Sequence, residues 1–190
     1  MKSLSLSKPH LIVMVGVPGS GKSFFAEKFA DTFHTPYVSR EKLVSLAGGV
    51  TTFIDDLMYY QVSELFKTRQ SLLIEGTGDT RVERLELAKW AHKAGYETLT
   101  VWVQTDPATA KSRHRKEKKS SVDAYDKLLQ NFDAPLSVEK PVVISGKHTY
   151  ATQARVVLKR LSEPRAETSI LAAPPTRVDP SSRRRNIAIR

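Results

Sequence analysis

The sequence predicts an α/β fold of three layers, in which helices cover both faces of a five-stranded parallel sheet. Short apolar runs alternate with longer helical patterns along most of the chain. Each run is almost unbroken, which is typical of strands that are buried on both faces. A glycine-rich turn follows the first run and leads into a helical pattern, as expected where a parallel strand passes its chain to a crossover helix.

The predicted elements follow one another as strands separated by helices. Strands are predicted over residues 11–15, 35–40, 71–76, 97–105 and 141–145. Helices are predicted over residues 22–33, from about 41 to the break at Gly48 and Gly49, and over 53–67, 81–94, 107–119, 122–132 and 150–161. Gly95 closes the fourth of them as a C-terminal cap.

The composition indicates one folded domain with a basic extension. We expect a domain over residues 1–162 and a disordered basic tail over residues 163–190, where proline, serine and arginine replace the apolar periodicity. No stretch predicts a leader or a membrane span and cysteine is absent, so a cytoplasmic protein without membrane partners is expected. The net charge of +10 is consistent with a nucleic-acid partner, or simply with an enzyme that handles phosphates.

The stretch GVPGSGKS at residues 16–23 matches the phosphate-loop pattern G-x-x-x-x-G-K-[ST]. Its glycines allow backbone N–H groups to converge on phosphate oxygens, and the helix that follows adds its positive end. The lysine reaches the β- and γ-phosphates, and the Ser23 hydroxyl binds Mg²⁺. We therefore expect a nucleoside triphosphate, ATP with Mg²⁺, to be held by Gly16, Pro18, Gly19, Ser20, Gly21, Lys22 and Ser23.

Two acidic residues lie at the carboxyl ends of the predicted second and third strands, at the sheet edge where the loop begins. Glu41 is placed to accept a proton from an attacking hydroxyl, or is simply a first-turn glutamate stabilised by the helix dipole. Glu75 is placed to orient a water on Mg²⁺ or to hold a substrate hydroxyl. Arg81 and Arg84 either face this site or are exposed helix residues, whereas Asp79 is assigned to the helix cap region.

A basic segment after Asp106 predicts a helical lid over about residues 107–121. Arginine in a segment that closes over the site stabilises the charge that develops on the transferred phosphate. We expect Arg113 and Arg115 to have this role. A solvated basic helix and a nucleic-acid contact surface are the alternatives. The histidines lack the spacing of a zinc site, and His114 is expected on the surface.

With these motifs the chain resembles the small P-loop kinases grouped around the kinase domain of polynucleotide kinase and the zeta toxins. This group consists of predicted kinases with an AAA domain. The similarity runs from about residue 11 to residue 145. Arg40 and Glu41 stand where the family carries an Arg-Asp pair with a catalytic aspartate, and IEGT at residues 74–77 looks like the zeta-toxin element. Asp106-Pro107 precedes the arginines as in the family's lid, and NFDAP at residues 131–135 looks like the family's segment there.

The resemblance implies a P-loop kinase fold and phosphate transfer from ATP to a hydroxyl. Arg40, Glu75, Thr77 and Arg84 would then contact the substrate, while Lys22, Glu41, Arg113 and Arg115 would be catalytic. Lys42 stands where many relatives carry a second acidic residue, and the long substrate-binding insertions of zeta toxins are missing. The acceptor is therefore open among a small metabolite, a nucleoside and a nucleic-acid 5′-hydroxyl. A nucleotide-dependent module that binds nucleic acid or regulates a partner is the alternative.

Overall fold

The computed structural model describes residues 6–118 and 122–163, without the side chains of residues 118 and 122–124. The last part of the predicted lid and, apart from Glu163, the whole predicted tail lie outside the described residues.

Five parallel strands form one sheet in the order β2-β3-β1-β4-β5. They are β1 (His10–Val15), β2 (Tyr37–Ser39), β3 (Leu72–Glu75), β4 (Glu97–Gln104) and β5 (Val142–Ser145). The predicted α/β fold is confirmed. Strand β2 is shorter than predicted because Ser39 already caps the next helix, with its Oγ accepting a hydrogen bond from the backbone N–H of Lys42 at 3.4 Å.

The helices lie close to their predicted positions and connect or follow the strands. They are α1 (Lys22–Phe33), α2 (Arg40–Leu46), α3 (Ile54–Lys67), α4 (Arg81–Lys93), α5 (Pro107–Lys118), α6 (Val122–Gln130) and α7 (Tyr150–Ser162), with a 3₁₀ turn at Ser137–Glu139. Among the described helices, none is long and apolar enough to cross a membrane.

The hydrophobic core has two halves, one on each face of the sheet. Alternate residues of β1 divide between them: Ile12 and Met14 pack with α1 and α7, while Val13 packs with α3 and α4. This division follows from the two-residue period of a strand, whose successive side chains point to opposite faces. The central strand is thereby buried on both sides, which explains its uninterrupted apolar sequence.

The carboxyl ends of the strands lie at one edge of the sheet. Met14 pairs with Glu75, Ser39 also pairs with Glu75, and Gln104 pairs with Ser145. The loops that leave these strand ends are therefore brought close together. In open α/β sheets this edge is where ligands bind.

Candidate active site

Residues 16–21 connect β1 to α1 at this edge, and Lys22 and Ser23 begin α1. Gly21, with a φ of 101°, occupies the N-cap position of α1, and no described side chain caps the helix there. The first backbone N–H groups of the helix thus lack intrahelical partners, and the helix dipole favours an anion beside them. This is the geometry of a phosphate-binding loop.

Two glycines allow the loop to pack against neighbouring backbone. A Cβ atom at Gly16 would lie 2.6 Å from the carbonyl oxygen of Val103, and one at Gly19 would overlap the carbonyl oxygen of Ala110. Both glycines also have positive φ, 150° at Gly16 and 77° at Gly19. The loop is therefore fitted between the end of β4 and α5, and a larger residue at either position would displace it.

Ser20 and Pro18 are the other predicted nucleotide-binding residues before Lys22, and each packs within the protein or contacts a neighbouring helix. Ser20 is fully buried, and its Oγ has no hydrogen-bond partner within the described part of the chain. The Pro18 carbonyl accepts a long hydrogen bond, 3.5 Å, from the Tyr125 hydroxyl of α6. Contact of either residue with a nucleotide stays a prediction.

The side chain of Lys22 folds back over the loop. Its Nζ donates to the carbonyl oxygen of Gly16 at 2.5 Å. Burial lowers the pKa of this ammonium group, and the negative charges of Glu75, Asp79 and Glu41 oppose the shift. A partly buried cation held against the loop is well placed to pair with a phosphate.

Ser23 and Glu75 meet at the start of α1. The Ser23 Oγ donates to Glu75 Oε1 at 2.7 Å, and the Tyr37 hydroxyl donates to Glu75 Oε2. Burial and the adjacent Glu75 carboxylate raise the pKa of the Tyr37 hydroxyl, so this group remains a donor. The Glu75 side chain is thus oriented from two sides.

This pair suits a magnesium ion that also binds a nucleotide. Within the described residues, no group of three His, Cys, Asp or Glu side chains could hold a metal by itself. Mg²⁺ in phosphate-transferring sites needs fewer protein ligands, because phosphate oxygens and water complete its shell. The Ser23 hydroxyl and a Glu75 carboxylate oxygen, 2.7 Å apart, match that requirement.

A cavity of about 340 Å³, here called the loop cavity, opens beside the phosphate loop. Arg113 of α5 lies in its wall and donates from Nη1 to the Gly146 carbonyl at 3.2 Å. Arg115 is exposed on the same helix and is not part of this wall. The wall also includes Gly19, Gly21, Lys22, Ser23, Phe24, Glu117, His148 and Gln153. Of the two predicted lid arginines, the structure brings Arg113 to the loop.

A second cavity of about 520 Å³, here called the β3 cavity, lies between α3, α4 and the end of β3. It contains two predicted substrate residues, Arg40 and Thr77, whereas Glu75 and Arg84 are outside its wall. Arg40 Nε donates to Asp55 Oδ1 at 2.6 Å, so its charge is already paired. The rest of the wall combines acidic and aromatic or apolar side chains: Asp79, Glu83, Glu86, Tyr59, Trp90, Met58, Val62, Ile74 and Leu87.

Asp79, expected in the helix cap region, lies in the wall of the β3 cavity. Thr80 performs the capping instead, because its Oγ1 accepts from the Glu83 N–H at 3.2 Å. Asp79 faces the β3 cavity, where desolvation raises the pKa of its carboxyl while Lys22 opposes the shift. Asp79 is an exposed residue, as Glu41 is, and its carboxyl interacts electrostatically with Lys22 of the phosphate loop. It therefore links the loop to the β3 cavity.

Glu41, the predicted general base, lies in the first turn of α2. It is exposed, and its charge acts on Lys22 more weakly than those of Glu75 and Asp79 do. It does not contribute to the wall of the β3 cavity. Its role as the base stays a prediction.

Arg84 is placed differently from the expectation. Its guanidinium is buried, donating to Glu139 Oε2 at 2.7 Å and Oε1 at 3.1 Å. It also donates to the carbonyl oxygens of Gly78 at 3.0 Å and Asp133 at 2.9 Å. These bonds occupy most of its donors and favour a structural role over the predicted contact with substrate. Arg81 is exposed at the helix start.

His114 is buried, not exposed as expected from its basic surroundings. Its ring lies 5.3 Å from that of Tyr125, between α5 and α6. The backbone N–H of His114 also lies close to Gly19. One side of α5 therefore faces the protein interior. The sequence did not show this, because the helix is rich in basic residues and has no apolar stripe.

A third cavity, of about 710 Å³, lies beside the edge strand β5. It shares His148 and Gln153 with the loop cavity, and of the segment at residues 16–23 its wall includes Val17 but none of the predicted nucleotide-binding residues. Residues predicted to hold a nucleotide or a substrate thus line the two smaller cavities and not this one.

A family model described as an AAA domain matches residues 11–141, which is more than half of the chain. The chain belongs to the AAA domain family. The matched residues include the phosphate loop, the end of β3 and the described part of the predicted lid. No curated protein sequence matches the chain.

Solved structures of kinases have the same fold. A gluconokinase from Sinorhizobium meliloti superposes with a TM-score of 0.60 at 19% identity, covering 80% of this chain and 91% of that one. The APS kinase of Mycobacterium tuberculosis, in complex with AMPPNP and APS, superposes with a TM-score of 0.64 at 17% identity, covering 81% and 98%. The AAA domain protein therefore has the P-loop kinase fold.

The narrower resemblance to polynucleotide kinase and zeta toxins is not confirmed. A Pnkp1/Rnl/Hen1 complex superposes with a TM-score of 0.52 at 22% identity, but it covers only 59% of this chain and 41% of that one. Identities this low establish the fold and leave the acceptor open.

Proposed function

We propose that this protein transfers the γ-phosphate of ATP to a hydroxyl group of a small acceptor held in the β3 cavity. The main support is that Asp79 lines this cavity and interacts electrostatically with Lys22 of the phosphate loop. Donor and acceptor would thus lie on either side of the same short segment at the sheet edge. In phosphate transfer, positioning and charge stabilisation supply most of the catalysis.

The loop cavity supplies the donor half of the reaction. The open N–H groups of α1 and the Lys22 ammonium would hold the phosphates, and Arg113 would approach them from the lid. Ser23 and Glu75 would hold Mg²⁺, which when bound offsets negative charge on the phosphate oxygens. The hydrogen bond from Tyr37 keeps the Glu75 carboxylate in place.

Asp79 is our first candidate for the general base, with the predicted Glu41 as the alternative. The acceptor oxygen would attack the γ-phosphorus while its proton passes to the Asp79 carboxylate, and the bond to the β-phosphate oxygen would break to release ADP. The raised pKa of Asp79 suits this role, because a base is more effective when its pKa approaches the working pH.

The β3 cavity favours a small acceptor without strong negative charge. Its volume of about 520 Å³ is that of an ordinary small-molecule site. Four carboxyl-bearing residues line it, and its one arginine in the described wall is already paired with Asp55. A polyanion such as a nucleic-acid strand would be repelled there, whereas a sugar, an amino sugar or a nucleoside would not.

The test is a transfer screen with γ-labelled ATP over sugars, amino sugars, nucleosides and 5′-hydroxyl oligonucleotides. We expect a small acceptor to be labelled and Asp79→Asn to lower kcat/KM by about 10²- to 10⁴-fold. Asp31→Asn, the same change on the exposed face of α1, is the control. Glu41→Gln decides between the two carboxylates.

Three results would contradict the proposal in different ways. If only oligonucleotides are labelled, the acceptor class is wrong. If Glu41→Gln abolishes transfer and Asp79→Asn does not, the base is Glu41. If nothing is labelled although ATP binds and Lys22→Met removes that binding, the protein is a nucleotide-dependent module and no kinase.

A further inference from the structure

The four carboxyl-bearing residues of the β3 cavity differ in the contacts that they already make. Asp55 is paired with Arg40, whose Nε lies 2.6 Å from Asp55 Oδ1. Glu83 caps α4, because its Oε2 accepts two backbone N–H groups at the start of the helix. Asp79 interacts electrostatically with the phosphate loop. Within the described part of the chain Glu86 forms no hydrogen bond or ion pair, so its charge is available to a ligand.

Glu86 lies beside two aromatic side chains. Trp90 follows it by four residues on α4, so both side chains lie on one face of that helix, and both line the cavity. Tyr59 of α3 lines the cavity from the other helix, with its ring centroid 5.1 Å from that of Trp90. Burial and the negative charges of Glu83 and Glu86 raise the pKa of the Tyr59 hydroxyl, so the carboxylates of α4 act across the cavity on this ring.

A ligand in the cavity can reach these groups. Glu86 is exposed, Trp90 is partly exposed, and 44% of the surface of Tyr59 is exposed. Arg40 is the one basic residue of the described wall, and Asp55 balances its charge. A carboxylate beside aromatic rings favours a cationic amine, because the carboxylate pairs with the positive charge and the face of a ring attracts it.

We propose that the acceptor carries a cationic amino group, which pairs with Glu86 beside the rings of Tyr59 and Trp90. The inference rests on the proposed function, since it names the class of acceptor held in the same cavity. Glu86 lies about 8 Å further along the axis of α4 than the first residue of the helix, which follows Asp79 closely. A sugar-sized molecule could therefore direct a hydroxyl toward Asp79 while its amino group contacts Glu86.

The test compares amines with neutral partners in which a hydroxyl replaces the amino group. The pairs are glucosamine and glucose, scyllo-inosamine and scyllo-inositol, and 5-amino-1-pentanol and 1,5-pentanediol. Binding to the full chain is measured by calorimetry with Mg²⁺ and a non-hydrolysable ATP analogue, and transfer is measured with γ-labelled ATP. We expect at least one amine to bind about 10-fold more tightly than its partner, as for one hydrogen bond to a charged group. Added salt should reduce this preference.

Glu86→Gln removes the proposed partner of the amine. It should weaken binding of the preferred amine, and raise its KM, by about 10-fold, while binding of the neutral partner and kcat stay close to the wild type. Because Glu86 is exposed, we expect the variant to fold normally. Glu64→Gln is the matched control, since Glu64 is an exposed residue of α3 outside the wall of the cavity, and it should keep the preference.

Equal binding of amine and neutral partner in every pair, or no binding of any amine, would overturn the inference. A preference that Glu86→Gln retains would overturn it as well. The proposed function fails in a different way. Binding of the amine without phosphate transfer would remove the kinase and keep the cation site, whereas transfer to neutral acceptors with the same kcat/KM as to amines would keep the kinase and remove the role of Glu86.

Discussion

Replacing Glu139 by Gln removes the charge that balances the buried guanidinium of Arg84. The side chains of Arg84 and Glu139 are 3% and 10% exposed, and the Arg84 Nε–Glu139 Oε2 distance is 2.7 Å. Breaking one partner of such a buried pair costs about 3–5 kcal/mol, because an uncompensated charge remains in the interior. For a domain of this size that corresponds to a fall in Tm of about 10 °C.

The assay is urea unfolding at neutral pH, supported by thermal unfolding. Glu64→Gln is the matched control: its partner Lys67 also lies 2.6 Å away, but both side chains are well exposed, so no measurable change is expected. The double variant Arg84→Met/Glu139→Leu should lose clearly less stability than the two single changes added together. If Glu139→Gln costs less than about 1 kcal/mol, the pair does not carry the stability that its burial implies.

The same pair predicts a dependence of stability on pH. The guanidinium of Arg84 lowers the pKa of Glu139 below its ordinary value of 4.5. A carboxyl whose pKa is lowered by folding stabilises the fold above its unfolded pKa and loses this effect as the pH falls through its folded pKa. The difference in unfolding free energy between wild type and Glu139→Gln should therefore shrink as the pH falls below about 4.5. A difference that stays constant down to lower pH would contradict the assignment.

Two further predictions concern the site. If Asp79 is the general base, kcat/KM should rise with pH along a limb whose midpoint lies above the ordinary Asp value of 3.8, and Asp79→Asn should remove that limb; a limb that persists in the variant would exclude Asp79. Gly19→Ala should lower both nucleotide affinity and stability, the latter by about 1–3 kcal/mol, because the new Cβ overlaps Ala110 in α5. Gly48→Ala, at another positive-φ glycine with open space around it, should keep nucleotide affinity, and equal losses of affinity in both variants would refute the close-packing argument.

Local patterns were enough to predict the helices and strands and to recognise the phosphate-loop sequence. Apolar runs and helical periods predicted the five strands and their order along the chain, because these signals lie within single segments. The phosphate-loop pattern was recognisable for the same reason, because Gly16, Lys22 and Ser23 lie within eight consecutive residues. The carboxylate at the end of β3 was also predicted, since strand ends in a parallel sheet share one edge.

Residues that depend on packing between distant segments escaped prediction. Arg84 looked like a site residue because helical spacing does not show that Glu139, 55 positions away, pairs with it. Asp79 and Gln153 carry no motif of their own. Tyr37 sits in a short strand, and nothing in the sequence shows that its hydroxyl reaches Glu75.

The fold class and the phosphate-loop pattern could thus be read from the sequence, since each rests on contiguous residues. Tertiary structure decided which polar groups are buried and what they face. In the tertiary structure Arg84 is the buried partner of Glu139, and Asp79 lines the β3 cavity near Lys22 of the loop. The Oε1 atom of Gln153 has no hydrogen-bond partner in the described chain. Burial and long-range pairing set these roles, because the free energy of a polar side chain depends on its surroundings and not on its position in the sequence.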